Sequence, residues 1–133
     1  MEEFHQDIKI TGVDKDHIRE SAAVKGTWII PFKLSVAPDE SWSRHFYELH
    51  RKNMDLKKKD SKLIGDCIEV NFTDTDDQQA MLDILNREVT EANTLYKSVN
   101  QQKQKMRDDM KALQQKQSDM LQKLKDNSDK LRF

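Results

Sequence analysis

Beyond Pro38 this chain has no proline, and beyond Gly65 it has no glycine. About half of it therefore lacks the two residues that most readily end a helix. The segment TDTDDQQ, residues 73–79, supplies a start signal. Thr75 can act as N-cap with Gln78 three residues on, and Asp76 and Asp77 complement the positive end of the helix dipole. One helix is expected from about Asp76 to about Leu131. At 1.5 Å per residue it would reach roughly 80 Å, against about 25–30 Å for a compact domain built from the rest. Much of it should leave the domain as a stalk.

The two halves of that helix differ. From Met81 to Val99 the apolar set is broad: Met81, Leu82, Ile84, Leu85, Val89, Ala92, Leu95, Tyr96 and Val99. This width suits packing on a sheet. Beyond Asn100 the set narrows to a heptad seam. Its d series runs Leu85, Ala92, Val99, Met106, Leu113, Met120, Asn127, and its a series Val89, Tyr96, Lys103, Met110, Gln117, Leu124, Leu131. A sustained 3.5-residue repeat is the signature of a coiled coil. A solvated single helix is the weaker reading, resting on the modest apolarity of Met and Gln. An internal helical hairpin is weaker still, because no turn residues break 100–131. The interface residues expected are Val99, Met106, Met110, Leu113, Met120, Leu124 and Leu131.

Charge bears on orientation. Residues 76–103 carry five acidic against three basic residues, and residues 104–131 seven basic against five acidic. Parallel pairing offers no opposite-charge g–e′ contact and sets Lys103 on Lys103. Antiparallel pairing is weakly favoured. At full overlap it would match Leu85 with Leu124, Val89 with Met120, Tyr96 with Leu113 and Val99 with Met110.

Residues 1–74 read as a small head. In FHQDIKIT, Phe4, Gln6, Ile8 and Ile10 alternate as in a strand, which Gly12 ends; VDKDHIRESA follows as a polar connector. In TWIIPFKLS, Trp28, Ile30, Phe32 and Leu34 share a face, and Pro31 calls for an edge strand or a bulge. APDESWSRHFYELHR reads as a helix with Pro38 at its first position and Trp42, Phe46 and Leu49 on one face. LIGDCIEVNF reads as a hairpin turning at Gly65-Asp66, a type II′ pattern, with Ile68, Val70 and Phe72 turned inward. The fold class expected is α+β: a small antiparallel sheet with one short covering helix, then a long C-terminal helix forming a coiled coil. Residues 75–99 should pack on the head and 100–131 form the stalk. Trp28, Phe32, Trp42, Phe46 and Phe72 should hold the core.

Charged residues make up 35% of the chain, but 23 basic balance 24 acidic, giving a net charge of -1. That balance argues against a dedicated nucleic-acid binder, in which phosphate contacts dominate affinity. A single cysteine, Cys67, excludes an internal disulfide and points to a reducing, cytoplasmic setting. The acidic start MEEFHQDIKI lacks the apolar stretch of a signal peptide, and no run is long and apolar enough to span a membrane.

No residue set points to catalysis, a metal or a cofactor. His45 and His50 are five apart, wrong for a helical zinc pair; His5 and His17 lie elsewhere, and all four read as surface or boundary residues. Asp74, Asp76 and Asp77 lack the glycine and distal glutamate of a calcium loop. Cys67, placed in a strand, reads as a small buried apolar side chain. The three glycines form no phosphate loop. The basic run Arg51, Lys52, Lys57, Lys58 and Lys59 reads as a solvated loop, or else as a docking patch for an acidic protein or nucleic acid. The reading that results is a non-enzymatic oligomerising adaptor or accessory subunit. It pairs with itself, as a dimer or higher, and with another protein. The alternatives are an inhibitor or immunity-type protein acting through the head, and a nucleic-acid-associated protein using residues 51–59.

Overall fold

The structure, a computed structural model, describes residues 7–133. Phe4, His5 and Gln6, assigned to the first strand and to the histidine inventory by sequence, lie outside the described residues. The chain divides into two units, the first ending at Lys97 and the second spanning Ser98–Phe133.

The first unit contains an antiparallel sheet of β1 (Ile10–Val13), β2 (Arg19–Glu20), β3 (Trp28–Leu34), β4 (Ser61–Ile64) and β5 (Cys67–Phe72) in the order β1-β3-β5-β4, with β2 also paired to β3. One helix, α1 (Glu40–Lys52), and the start of a second, α2 (Gln78–Asp129), share one core with it. The α+β class with a small antiparallel sheet, a short helix and a long C-terminal helix is as the sequence implies.

Alternation places the sheet's inner residues. Ile30, Phe32 and Leu34 of β3 and Ile68, Val70 and Phe72 of β5 are buried, and the ladder pairs Phe32 with Ile68 and Ile30 with Val70. Trp42 and Phe46 stack at 5.7 Å on α1 and cover this face. Met81, Ile84, Leu85, Val89, Ala92 and Tyr96 cover it from α2. The hairpin turns at Gly65 with φ +58°, and no described non-glycine residue has positive φ. Asp66 is therefore not left-handed, which excludes type I′ and leaves type II′.

Several expectations are corrected. Gly12 does not end the first strand; it lies inside β1 opposite Lys33, past an irregularity in register. The polar connector holds a 3-10 turn, Lys15–His17, and β2. β3 is not an edge strand. Pro31 fits a central position because the strand beside it is split: β1 pairs with Phe32 to Leu34 and β2 with Trp28 and Ile29. Between them the chain swings out at Asp14, whose N–H donates to the Pro31 carbonyl at 2.9 Å. The missing proline N–H faces that gap, where no ladder bond is required. Pro38 precedes the N-cap of α1 rather than opening it. Asp39 is the cap, accepting from the Trp42 N–H at 2.8 Å. In α2 the cap is Asp77, accepting from the Ala80 N–H at 3.0 Å, in place of Thr75. Trp28, expected in the core, is 47% exposed.

A polar knot joins three elements. The Asn93 carbonyl oxygen accepts from the Ile8 N–H at 3.0 Å and from Trp42 Nε1 at 2.9 Å, and its amide donates to the Ile8 carbonyl at 2.9 Å. The Tyr96 hydroxyl donates to Asp39. These bonds fix the segment before β1, α1 and α2 against one another, and no buried side-chain nitrogen or oxygen among the described residues lacks a partner.

The second unit is the remainder of α2, closed after Asp129 by a turn in which the Leu131 N–H donates to the Ser128 carbonyl at 3.1 Å. Each of residues 101–133 is exposed.

Candidate functional site

In the second unit α2 carries the seam residues in the open. Met106 is 71% exposed, and Met110, Leu113, Met120, Leu124 and Leu131 are each more than half exposed. Val99 is half-buried. These side chains line up because a and d positions return to one helix face every two turns. The outer face is held by side-chain bonds one turn apart: Gln104 to Asp108, Gln115 to Asp119 and Gln122 to Asp126, at 2.8–3.0 Å. The stripe keeps the 3.5-residue spacing of a coiled-coil seam.

Upstream, the same two series are consumed. Leu85, Val89, Ala92 and Tyr96 lie in the core of the first unit, all under a tenth exposed. The full-overlap pairing of Leu85 with Leu124, Val89 with Met120 and Tyr96 with Leu113 would need these side chains twice, so that register is excluded.

No known family model, no curated protein and no solved structure matches the chain. The residues themselves carry the functional argument.

An apolar hollow of about 470 Å³ lies in the first unit, at the end of the sheet where β3 begins. Trp28, Ile18, Val13, Ile30 and Phe72 line it, together with the polar Lys15, Asp74 and Gln78. Trp28 pairs with Phe72 across the ladder but stands at the strand's first position, and Ile18 beside it is 38% exposed. Sequence alternation gave Trp28 its correct face and no sign of the hollow, which depends on where the covering helices stop.

The basic run is folded into the chain's own charge network. Lys59 meets Asp76 at 2.8 Å, Lys57 meets Asp77 at 3.5 Å, Lys52 meets Glu48 at 2.9 Å, and Lys58 donates to the His50 carbonyl at 2.7 Å. Arg51 is exposed. Four of the five candidate patch residues thus have internal partners. The loop tip between them shows Met54 and Leu56 to solvent.

This network has a pH signature. The Lys59 ammonium, then the Thr73 N–H, holds the Asp76 carboxyl below its ordinary 3.8. The Ala80 N–H chiefly holds Asp77 below the same value, with Lys57 assisting. A folded-state value below the unfolded one gives stability that is present above 3.8 and lost as pH falls through the depressed values. The unfolding midpoint is therefore expected to drop on acidification through this range, and to drop less steeply in Asp76→Asn. Parallel pH profiles for the two proteins would refute the assignment.

His17 bonds Asp14 at 2.7 Å. His45 is half-buried. His50, expected near the surface, is buried against Glu88 at 2.8 Å. Cys67 is half-buried rather than buried. Burial and the neighbouring Asp66 push its thiol up, which favours the unreactive protonated form. Among the described residues no group of three or more His, Cys, Asp or Glu is placed to hold a metal ion, and no helix is long and apolar enough to cross a membrane.

Proposed function

We propose that this protein is a self-associating adaptor, with a folded first unit and a helical seam in the second unit through which copies pair as a coiled coil. The observation that carries the reading is the exposed seam from Met106 to Leu131. A head with one short helix over a few strands gains stability when its long helix is covered, because anything that binds only the folded chain stabilises it. The ion pairs of Lys52, Lys57 and Lys59 and the balanced charge give little support to a nucleic-acid role.

The test is mass in solution. The intact chain is expected to be a dimer or higher at tens of micromolar by light scattering. Met110→Glu with Leu113→Glu places charge in the seam, and cutting after Val99 removes it; both should give the monomer. A monomeric intact chain would sink self-association. The reading left would be a head that takes one protein partner, favoured by the half-exposed Trp28 at the apolar hollow, since Trp is frequent among interface hot spots.

A further inference from the structure

The flanks of the seam carry information that the apolar stripe alone does not. The e positions from Arg107 onward are Arg107, Gln114, Leu121 and Ser128, and the g positions are Asp109, Lys116, Lys123 and Lys130. Asp109 is the single acid among these eight. The other acids of this stretch, Asp108, Asp119, Asp126 and Asp129, stand on the outer face. Three of those four accept hydrogen bonds from glutamines on their own helix. On the g flank the charge is thus one acid, Asp109, among Lys116, Lys123 and Lys130.

We infer that the seam docks a second copy of this chain antiparallel, in the register that sets Val99 on Leu131, Lys103 on Asn127, Met106 on Leu124, Met110 on Met120 and Leu113 on Gln117. The inference rests on the self-association proposed above, and three observations select it. First, the a and d residues before Val99 are buried in the first unit, so pairing is confined to 99–131, and this register uses all of that span. A shift of one heptad in either direction leaves end residues uncovered or reaches back to Ala92 and Tyr96. Second, an antiparallel pair brings g positions together, so Asp109 meets Lys123 of the second copy, twice per dimer. In parallel register Asp109 would face Gln114. Third, the polar seam residue Lys103 meets the polar Asn127, whereas a parallel pair would set Lys103 on Lys103 in a core layer. Lys116 meets its own copy at the rim, where salt screens the repulsion.

Cysteine pairing in the full chain tests this. With Cys67→Ser throughout, chains carrying Lys103→Cys are mixed with chains carrying Asn127→Cys and oxidised with oxidised glutathione. The products are mapped by peptide mass, and light scattering is run on the same samples. In the proposed register each 103 faces a 127, while two copies of 127 are roughly 36 Å apart along the axis. The mixed 103–127 disulfide should dominate, and either chain oxidised alone should stay uncross-linked. Rapid 127–127 linkage in a dimeric sample would overturn the orientation and leave self-association standing. A monomer by light scattering with no linkage would overturn both.

Discussion

Phe46→Ala is expected to unfold the first unit or bring it close to unfolding. The Phe46 side chain is fully buried, with its ring stacked between Trp42 at 5.7 Å and His50 at 5.8 Å on the same helix face. Removing a ring from a filled core loses its transfer free energy and leaves a cavity, together about 3–5 kcal/mol. Small domains hold only about 5–15 kcal/mol in total. The contrast is Trp28→Ala. Its larger side chain is nearly half exposed at the mouth of the hollow and should cost less than half as much. Denaturant titration followed by far-ultraviolet circular dichroism measures both. Equal shifts in midpoint would show that the α1 face is not the centre of the core.

What could be read from the sequence was periodicity with a local cause. Ile30, Phe32 and Leu34, then Ile68, Val70 and Phe72, fix two strands and their inner face by alternation alone. Gly65 followed by Asp66 fixes the hairpin. The missing glycine and proline after residue 65 permit a helix as long as Gln78–Asp129. What could not be read depended on neighbours far along the chain. Alternation says which face Trp28 takes, not that the helices stop short of it. Pro31 argues against a continuous ladder, and the structure satisfies it by splitting the neighbouring strand in two, which the text VDKDHIRESA does not announce.

The candidate sites divide along the same line. The seam was legible because it is a repeat on one helix. Its exposed extent was not, because Leu85, Val89 and Tyr96 continue the same repeat while facing their own core. The basic run 51–59 looked available because its partners, Asp76 and Asp77, read as helix-start residues; they are that and counter-charges as well. For the buried pair a signal did exist. His50 lies four residues after Phe46, and Glu88 lies between Leu85 and Val89, so each is a polar residue on an apolar stripe. Two such residues on helices sharing a core have reason to meet.

That pair yields the second large effect. His50 and Glu88 are 38 residues apart, each almost fully buried, with Nδ1 at 2.8 and 3.0 Å from the two carboxylate oxygens. His50 Nε2 lies 2.9 Å from the Lys59 carbonyl, which can only accept, so that nitrogen carries a hydrogen. One further proton is then shared between Nδ1 and Glu88, and the ring bridges α1, the loop before β4, and α2. Glu88→Ala leaves Nδ1 in the core without its partner. Breaking a buried pair from one side costs about 3–5 kcal/mol. Glu88→Gln keeps the shape, and its amide can donate to Nδ1 of a ring protonated at Nε2, so it should cost clearly less. Adding His50→Ala to Glu88→Ala should cost less than the two single effects combined, because the second change removes the group that the first had stranded. Unfolding midpoints for the four variants decide the matter. Additive costs, or Glu88→Gln as damaging as Glu88→Ala, would show that the two side chains are buried as neighbours without acting as a pair.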